Sequence, residues 1–195
     1  MSEITSSKRK ISVLSLTLAA LFTALVAVGA FIQIPVPYMD YFTLQFLFVV
    51  LSGMMLGPKL GAVSVAVYVL IGLCGVPIFA AGGGIAYVVR PSFGYLLGFI
   101  VASFAVGFIC KKLKASKYWH YLLAALGGFA VTYAIGLLYK YLMLNLYVGE
   151  PTPFWVVLAS CFPLDMPGDL LLCALAAFLG QRLQKIRKRY IKVEY

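Results

Sequence analysis

Charge is what this chain has least of. Only 11% of its 195 residues are Asp, Glu, Lys or Arg, and just six of them are acidic. A soluble domain carries roughly 25% charged residues. With 63% of the residues hydrophobic, there is too little polar side chain to cover a surface in water. A soluble enzyme, a disordered chain and a disulfide scaffold are thereby excluded. The four cysteines, Cys74, Cys110, Cys161 and Cys173, form no C-x-x-C pair, and the one histidine, His120, sits in a basic stretch. No His/Cys metal site is expected, and the thiols read as small apolar side chains. No G-x-x-x-x-G-K-[ST] run occurs, so a P-loop does not hydrolyse ATP here. The glycine run lacks a full dinucleotide fingerprint, and no nucleic-acid motif is present. No cofactor is implied.

What is present is a series of long neutral stretches, the composition of a protein whose solvent is lipid. At ~20 residues per span, the length holds about six helices. They are expected at 11–34, 42–56, 60–74, 92–110, 121–147 and 154–183, in one membrane domain covering 1–195. The fold class is therefore all-α and polytopic. The first stretch is longer than the ~7–15-residue apolar core of a signal peptide, so it is expected to be retained as a helix. Pro35, Pro37 and Asp40 break the chain after it. Gly57-Pro58-Lys59 makes a tight turn, and Gly75 to Pro91 is a glycine- and proline-rich connection. Helix six is interrupted near Pro163 and Pro167.

The net charge of +10 is distributed in clusters. With the N-terminus inside, the inner side collects Lys8, Arg9, Lys10, Lys59, Lys111, Lys112, Lys114, Lys117 and the basic tail from Arg182 to Lys192. The outer connections hold Arg90 with Asp40 and Glu150. This is the positive-inside pattern and places both termini in the cytoplasm. No internal repeat is visible, which disfavours an inverted-repeat transporter.

Polar groups at membrane depth are costly and mark function by default. Asp165 and Asp169, four apart, share one helical face in mid-segment, where the prolines free backbone carbonyls. They are candidate ligand contacts, with a wetted structural role as the alternative. Arg90, after Tyr87 and before Pro91, could clamp a carboxylate, pair with one of these acids, or anchor at a lipid headgroup. Gly82, Gly83 and Gly84 could let backbone approach a ligand or let a lid move, or could be a turn alone. Lys140 and Asn145 lie toward the outer end of helix five, where Lys140 either snorkels or faces a pocket. Gln45 could bond a ligand or serve helix packing. Ala20 and Ala24 have the small-xxx-small spacing that admits another helix closely. No catalytic residue stands out. An intramembrane enzyme using the Asp165/Asp169 pair lacks a partner motif, and an autonomous transporter or channel is disfavoured by the small bundle.

Taken together, Leu44-Gln45, Leu56-Gly57-Pro58-Lys59-Leu60-Gly61, Tyr68 through Gly72 and Gly75-Val76-Pro77-Ile78-Phe79 follow in an ordered series. The series continues with the glycine run, Pro91-Ser92-Phe93-Gly94-Tyr95-Leu96-Leu97-Gly98-Phe99 and Pro167-Gly168-Asp169-Leu170. It resembles the BioY family across essentially the whole membrane region. These are substrate-binding S components of energy-coupling factor (ECF) vitamin transporters, chiefly for biotin. The resemblance implies a six-helix S-component fold with an outward pocket capped by the connection after helix three. It also implies an EcfT-type membrane coupling subunit meeting helix one at Ala20 and Ala24, two EcfA-type ATPases, and transport by toppling of the S component in a prokaryotic plasma membrane. It makes Asp169 a pocket residue. Family members usually carry Lys three residues after that Asp, where Leu172 stands here, and many carry Gly where Arg90 stands. Loss of the Lys removes a donor and retains the acceptor. Biotin is the first expectation. Lipoate, which shares the sulfur ring and valerate but has no ureido group, is the alternative, with Arg90 or Lys140 holding the carboxylate.

Overall fold

The computed structural model describes residues 13–34, 42–149, 151–161 and 165–190. Pro35, Pro37, Asp40, Glu150, Pro163, the Lys8-Arg9-Lys10 cluster and Lys192 lie outside the described residues. Helix α1 runs Val13–Phe31, and the short strands β1 (Gln33–Ile34) and β2 (Phe42–Thr43) pair antiparallel, Gln33 opposite Thr43 and Ile34 opposite Phe42. Then come α2 (Gln45–Leu56), α3 (Pro58–Leu73), a 3₁₀ turn at Ile85–Val89, α4 (Phe93–Lys112) and α5 (Tyr118–Leu142), which winds on as a π-turn over Met143–Val148. The last described elements are α6 (Phe154–Cys161) and α7 (Asp165–Tyr190). Among the described residues the fold is all-α apart from the two-residue strands.

Among the described residues, α1, α4 and α5 with its π-turn are long and apolar enough to cross a membrane, and α6 and α7, bent by 51° from one another, are so only when taken together. Helices α2 and α3 are apolar but have only 12 and 16 residues, about 18 and 24 Å at 1.5 Å per residue. The hydrocarbon core is ~30 Å thick, so neither alone fills it. Residues 32–34 and 42–43, which the pattern put in helices one and two, are extended or turn instead, because β1 and β2 satisfy one another's backbone groups there.

Helix α7 begins at Asp165. The two acids therefore occupy its first turns and not the middle of a long helix. The break is compatible with Pro167, because the first four N–H groups of a helix have no internal acceptor and proline loses nothing there. A carboxyl at this end also suits the positive end of the helix dipole.

The tightest packing surrounds the α2–α3 turn. Gly57 caps α2 at φ +79, its N–H donating to Gly53 O at 3.0 Å, and Pro58 opens α3. Glycine reaches that left-handed backbone without strain, and proline's fixed φ suits a first helical position. Helix α4 lies directly on this turn: a Cβ on Gly107 would fall 2.5 Å from Pro58 N, and one on Gly61 would fall 2.8 Å from Ser103 Oγ. The buried Ser52 and Ser103 hydroxyls bond across the crossing at 2.8 Å, and Ser52 bonds Val49 O at 2.7 Å. On the other flank, Ser64 of α3 donates to Ala19 O of α1 at 2.9 Å, and Thr23 reaches Ser64 O at 2.9 Å. Small residues thus let helices close up while hydroxyls bond between them, as lipid-dissolved helices require.

The interior holds Tyr68, Phe46, Phe79, Met54 and a set of valines. The outer faces of the helices carry Leu16, Leu21, Val67, Phe104, Phe108 and Leu171, all exposed from the bundle and suited to acyl chains. Trp119 and Trp155, exposed at the starts of α5 and α6, stand at opposite ends of the bundle.

Gly107→Ala is expected to push α4 off the Gly57–Pro58 turn and cost about 1–3 kcal/mol. Thermal denaturation of the detergent-solubilised protein measures this. An unchanged midpoint would contradict the packing.

Candidate ligand-binding cleft

The antiparallel order brings the starts of α2, α4 and α7 and the end of α5 to one end of the bundle. There a cleft of about 840 Å³, counted to its open mouth, enters the molecule. Phe42 and Thr43 of β2 and Gln45 and Phe46 of α2 form one wall, and Tyr95, Leu96 and Phe99 of α4 form another. Helix α5 supplies Tyr133 and Lys140, α7 supplies Asp165 and Asp169, and Ala80, Ala81, Tyr87 and Ser92 come from the connection before α4.

An aromatic group underlies the cleft. Phe46 packs at 6.2 Å on Phe99 and edge-on at 6.5 Å to Phe129, which contacts Tyr133 at 4.5 Å; Tyr133 meets Tyr95 edge-on at 5.8 Å. Polar groups are set into it. The Tyr133 hydroxyl donates to Asp169 Oδ2 at 2.9 Å, fixing that carboxyl on the cleft wall. The Tyr95 hydroxyl bonds the Cys161 thiol at 3.1 Å. Lys140 faces the cleft and does not merely reach outward; its ammonium donates to Ser160 Oγ of α6 at 3.1 Å. Gln45 is buried, and its amide nitrogen, beside the Tyr68 hydroxyl, meets no acceptor at bonding geometry among the described residues.

The glycine run does a different job. Gly82 and Gly84 have φ of +108 and +101, where other residues are strained. Phe79 and Gly82 exchange backbone bonds at 2.8 and 3.2 Å, and Gly84 N–H donates to Gly72 O at 2.7 Å. A side chain on Gly83 would collide with the Val76 carbonyl. Phe79 is then pressed onto Gly72 and packs against Tyr68 and Tyr87 at 5.5 and 4.6 Å. The three glycines therefore shape the connection that carries Ala80, Ala81 and Tyr87 to the cleft, and none of them lines it.

Arg90 and Asn145 also lie off the lining. Arg90 is exposed, and its guanidinium stacks 5.2 Å from the Tyr87 ring centroid. Asn145 is a staple: its amide nitrogen donates to Tyr141 O at 2.9 Å and Thr152 O at 3.0 Å, and its oxygen accepts from Thr152 N at 3.0 Å. The two bonds with Thr152 tie the π-turn to the segment that leads into α6. Leu172 is buried in the apolar core with Cys173 and Ala176 and is absent from the cleft lining. Ala20 and Ala24 are both exposed on α1, at a distance from the cleft.

The BioY family model matches residues 5–189. The chain belongs to the BioY family. This BioY-family chain is 40% identical over 175 residues to the probable biotin transporter BioY of Lysinibacillus sphaericus, covering 90% of this chain and 89% of that protein. It is 40% identical over 169 residues to the biotin transporter BioY of Thermotoga maritima, covering 86% and 94%. Its fold matches the crystal structure of the S-component for biotin from an ECF-type ABC transporter. The TM-score is 0.78 at 28% identity, over 89% of this chain and 92% of that one. The family is one of membrane transport subunits, in keeping with the all-α S-component architecture.

Several lining residues had no separate signal in the sequence. Phe42, Thr43, Phe46 and Tyr133 look like ordinary members of apolar stretches, because one aromatic among many does not show which way it points. Tyr95 and Phe99 lie in the Pro91–Phe99 series, but nothing in that series marks the Tyr95 hydroxyl or the direction of the Phe99 ring.

Tyr133→Phe leaves the Asp169 carboxyl without its donor, and Asn145→Ala removes three bonds from the α5–α6 connection. Each is expected to lower stability by about 1–3 kcal/mol, measured by thermal unfolding in detergent. Wild-type melting of either variant would refute the corresponding contact.

Proposed function

We propose that this chain is the substrate-binding subunit of an ATP-driven ECF importer and that its ligand is biotin. One observation carries the choice of ligand. Tyr133, which holds Asp169, and Lys140 both face the cleft from α5, seven residues apart, about 10 Å along the axis. An acceptor therefore lies deep and a cation nearer the mouth. Biotin has a matching layout, with ureido N–H donors on its ring and a carboxylate at the end of its valerate chain. Asp169 accepts from the ureido N–H groups, Lys140 pairs with the carboxylate, and the aromatic group encloses the rings. Gln45, whose buried amide nitrogen meets no acceptor at bonding geometry among the described residues, is the group best placed to bond the ureido oxygen in the absence of a lysine at position 172. Asp165 flanks the same wall. Arg90, through Tyr87, and the glycine-shaped connection form the cap, and Asn145 holds the far rim.

Lipoate fits the carboxylate end and the apolar walls but offers Asp169 no N–H, which makes it the second reading. The names of the relatives and the fold match support the biotin reading. The chain carries no P-loop sequence, so ATP hydrolysis falls to two EcfA-type ATPases joined through an EcfT-type membrane subunit. Exposed Ala20 and Ala24 provide the close-approach face for that subunit. The subunit is not an enzyme, and it resides in the plasma membrane with both termini cytoplasmic.

Calorimetric titration tests the ligand. Biotin is expected to bind more tightly than lipoate, and its methyl ester at least tenfold more weakly, the scale of a charge-assisted contact. Lys140→Gln should weaken biotin and abolish the acid-over-ester preference. Equal binding of acid and ester by the wild type would refute the carboxylate assignment, and tight lipoate with weak biotin would replace the ligand. Ala20→Leu with Ala24→Leu should retain biotin binding and abolish uptake in cells expressing the coupling subunits. Undiminished uptake would remove α1 as the docking face.

A further inference from the structure

A second cavity, about 740 Å³ to its mouth, opens at the other end of the bundle. Its depth is apolar, with Met54, Pro58 and Tyr121 among its walls, and Lys111 and Lys114 stand at its rim. The other polar side chains there already have partners: Gln184 donates to Met54 O at 2.6 Å, and the Tyr121 hydroxyl to Ala115 O at 2.9 Å. Asp165 and Asp169, the only acids among the described residues, line the opposite cleft. No described carboxylate therefore neutralises the two lysines. Tyr118 and the exposed Trp119 open α5, the helix that brings Tyr121 to this cavity. Such aromatic residues mark headgroup depth.

We infer that this cavity binds an anionic phospholipid, its phosphate between Lys111 and Lys114 and an acyl chain against Met54, Pro58 and Tyr121. A basic opening between helices at headgroup level is suited to such a lipid, and the apolar depth favours an amphiphile over free phosphate. The site is independent of the biotin reading.

The test is thermal unfolding of the full-length, delipidated protein in detergent, titrated with phosphatidylglycerol, phosphatidylcholine or glycerol phosphate. Phosphatidylglycerol alone is expected to raise the midpoint. Lys111→Gln with Lys114→Gln should lower its apparent affinity by about tenfold or more, given about fivefold per lysine. Lys112→Gln with Lys117→Gln removes the same charge outside the cavity and should leave most of the affinity intact. Four results would overturn the inference. The first is equal stabilisation by phosphatidylcholine, the second is equal stabilisation by glycerol phosphate, and the third is an equal loss in both double variants. The fourth is no stabilisation by any lipid, which would leave the cavity to a protein partner. Native mass spectrometry counting retained lipid on the same two variants keeps the test open if one of them unfolds.

Discussion

The crossing of α2, α3 and α4 at the Gly57–Pro58 turn is the constraint on which the rest depends. Gly53, Gly61 and Gly107 remove the side chains that would hold these helices apart, and the Ser52–Ser103 bond closes the contact with a polar link. Lipid gives helices little hydrophobic reason to associate, so close packing and inter-helix hydrogen bonds carry that task. With one end locked in this way, the short α2 and α3 stop well before the opposite headgroup region. The space they leave is where the chain turns irregular and the cleft forms.

That irregular end follows the rule for backbone in hydrocarbon, which must find its partners within the protein. The strands β1 and β2 satisfy each other. The glycine connection is bonded to Gly72 and turns on itself through Phe79 and Gly82. Asn145 replaces missing helical bonds after the π-turn. The cleft rests on these supports, and among the described residues its polar groups are few: two carboxyls, one ammonium, one amide and some hydroxyls among aromatic rings. A small number of fixed polar groups in an apolar enclosure is the usual basis of small-molecule recognition.

Much of this was legible in the sequence, for identifiable reasons. Charge is so scarce that its clusters mark the loops directly, and the Gly57-Pro58 turn announces itself by residue type. Asp165 and Asp169 stood out because ionisable groups at depth are rare, while for Lys140 the pattern left snorkelling and a place in the pocket both open. The roles of Arg90, Asn145 and the glycines were less legible. Chemistry made them candidates, but only the folded chain shows that Arg90 stacks on Tyr87, that Asn145 staples a turn, and that Gly82 and Gly84 are needed for backbone angles. Helix six read as one interrupted segment because hydropathy runs on across Pro167. Its start at Asp165 depends on which N–H groups lack acceptors, and hydropathy does not report that. The aromatic lining was invisible because a helix apolar on all sides has no face that a pattern can single out.

The two tryptophans have a consequence of their own. Trp119 and Trp155 are the only ones in the chain, both are exposed, and they sit at opposite ends of the bundle. With the bundle upright, each indole is expected at headgroup depth, with emission at longer wavelength than among acyl chains. A rotation that carried the cleft end toward the bilayer centre would draw Trp155 among acyl chains and shift its emission to the blue, with quenchers fixed at known depths along the lipid tails gaining access to it. Two single-tryptophan versions of the protein would thus separate tilting of the whole body from movement of either end, with no label attached.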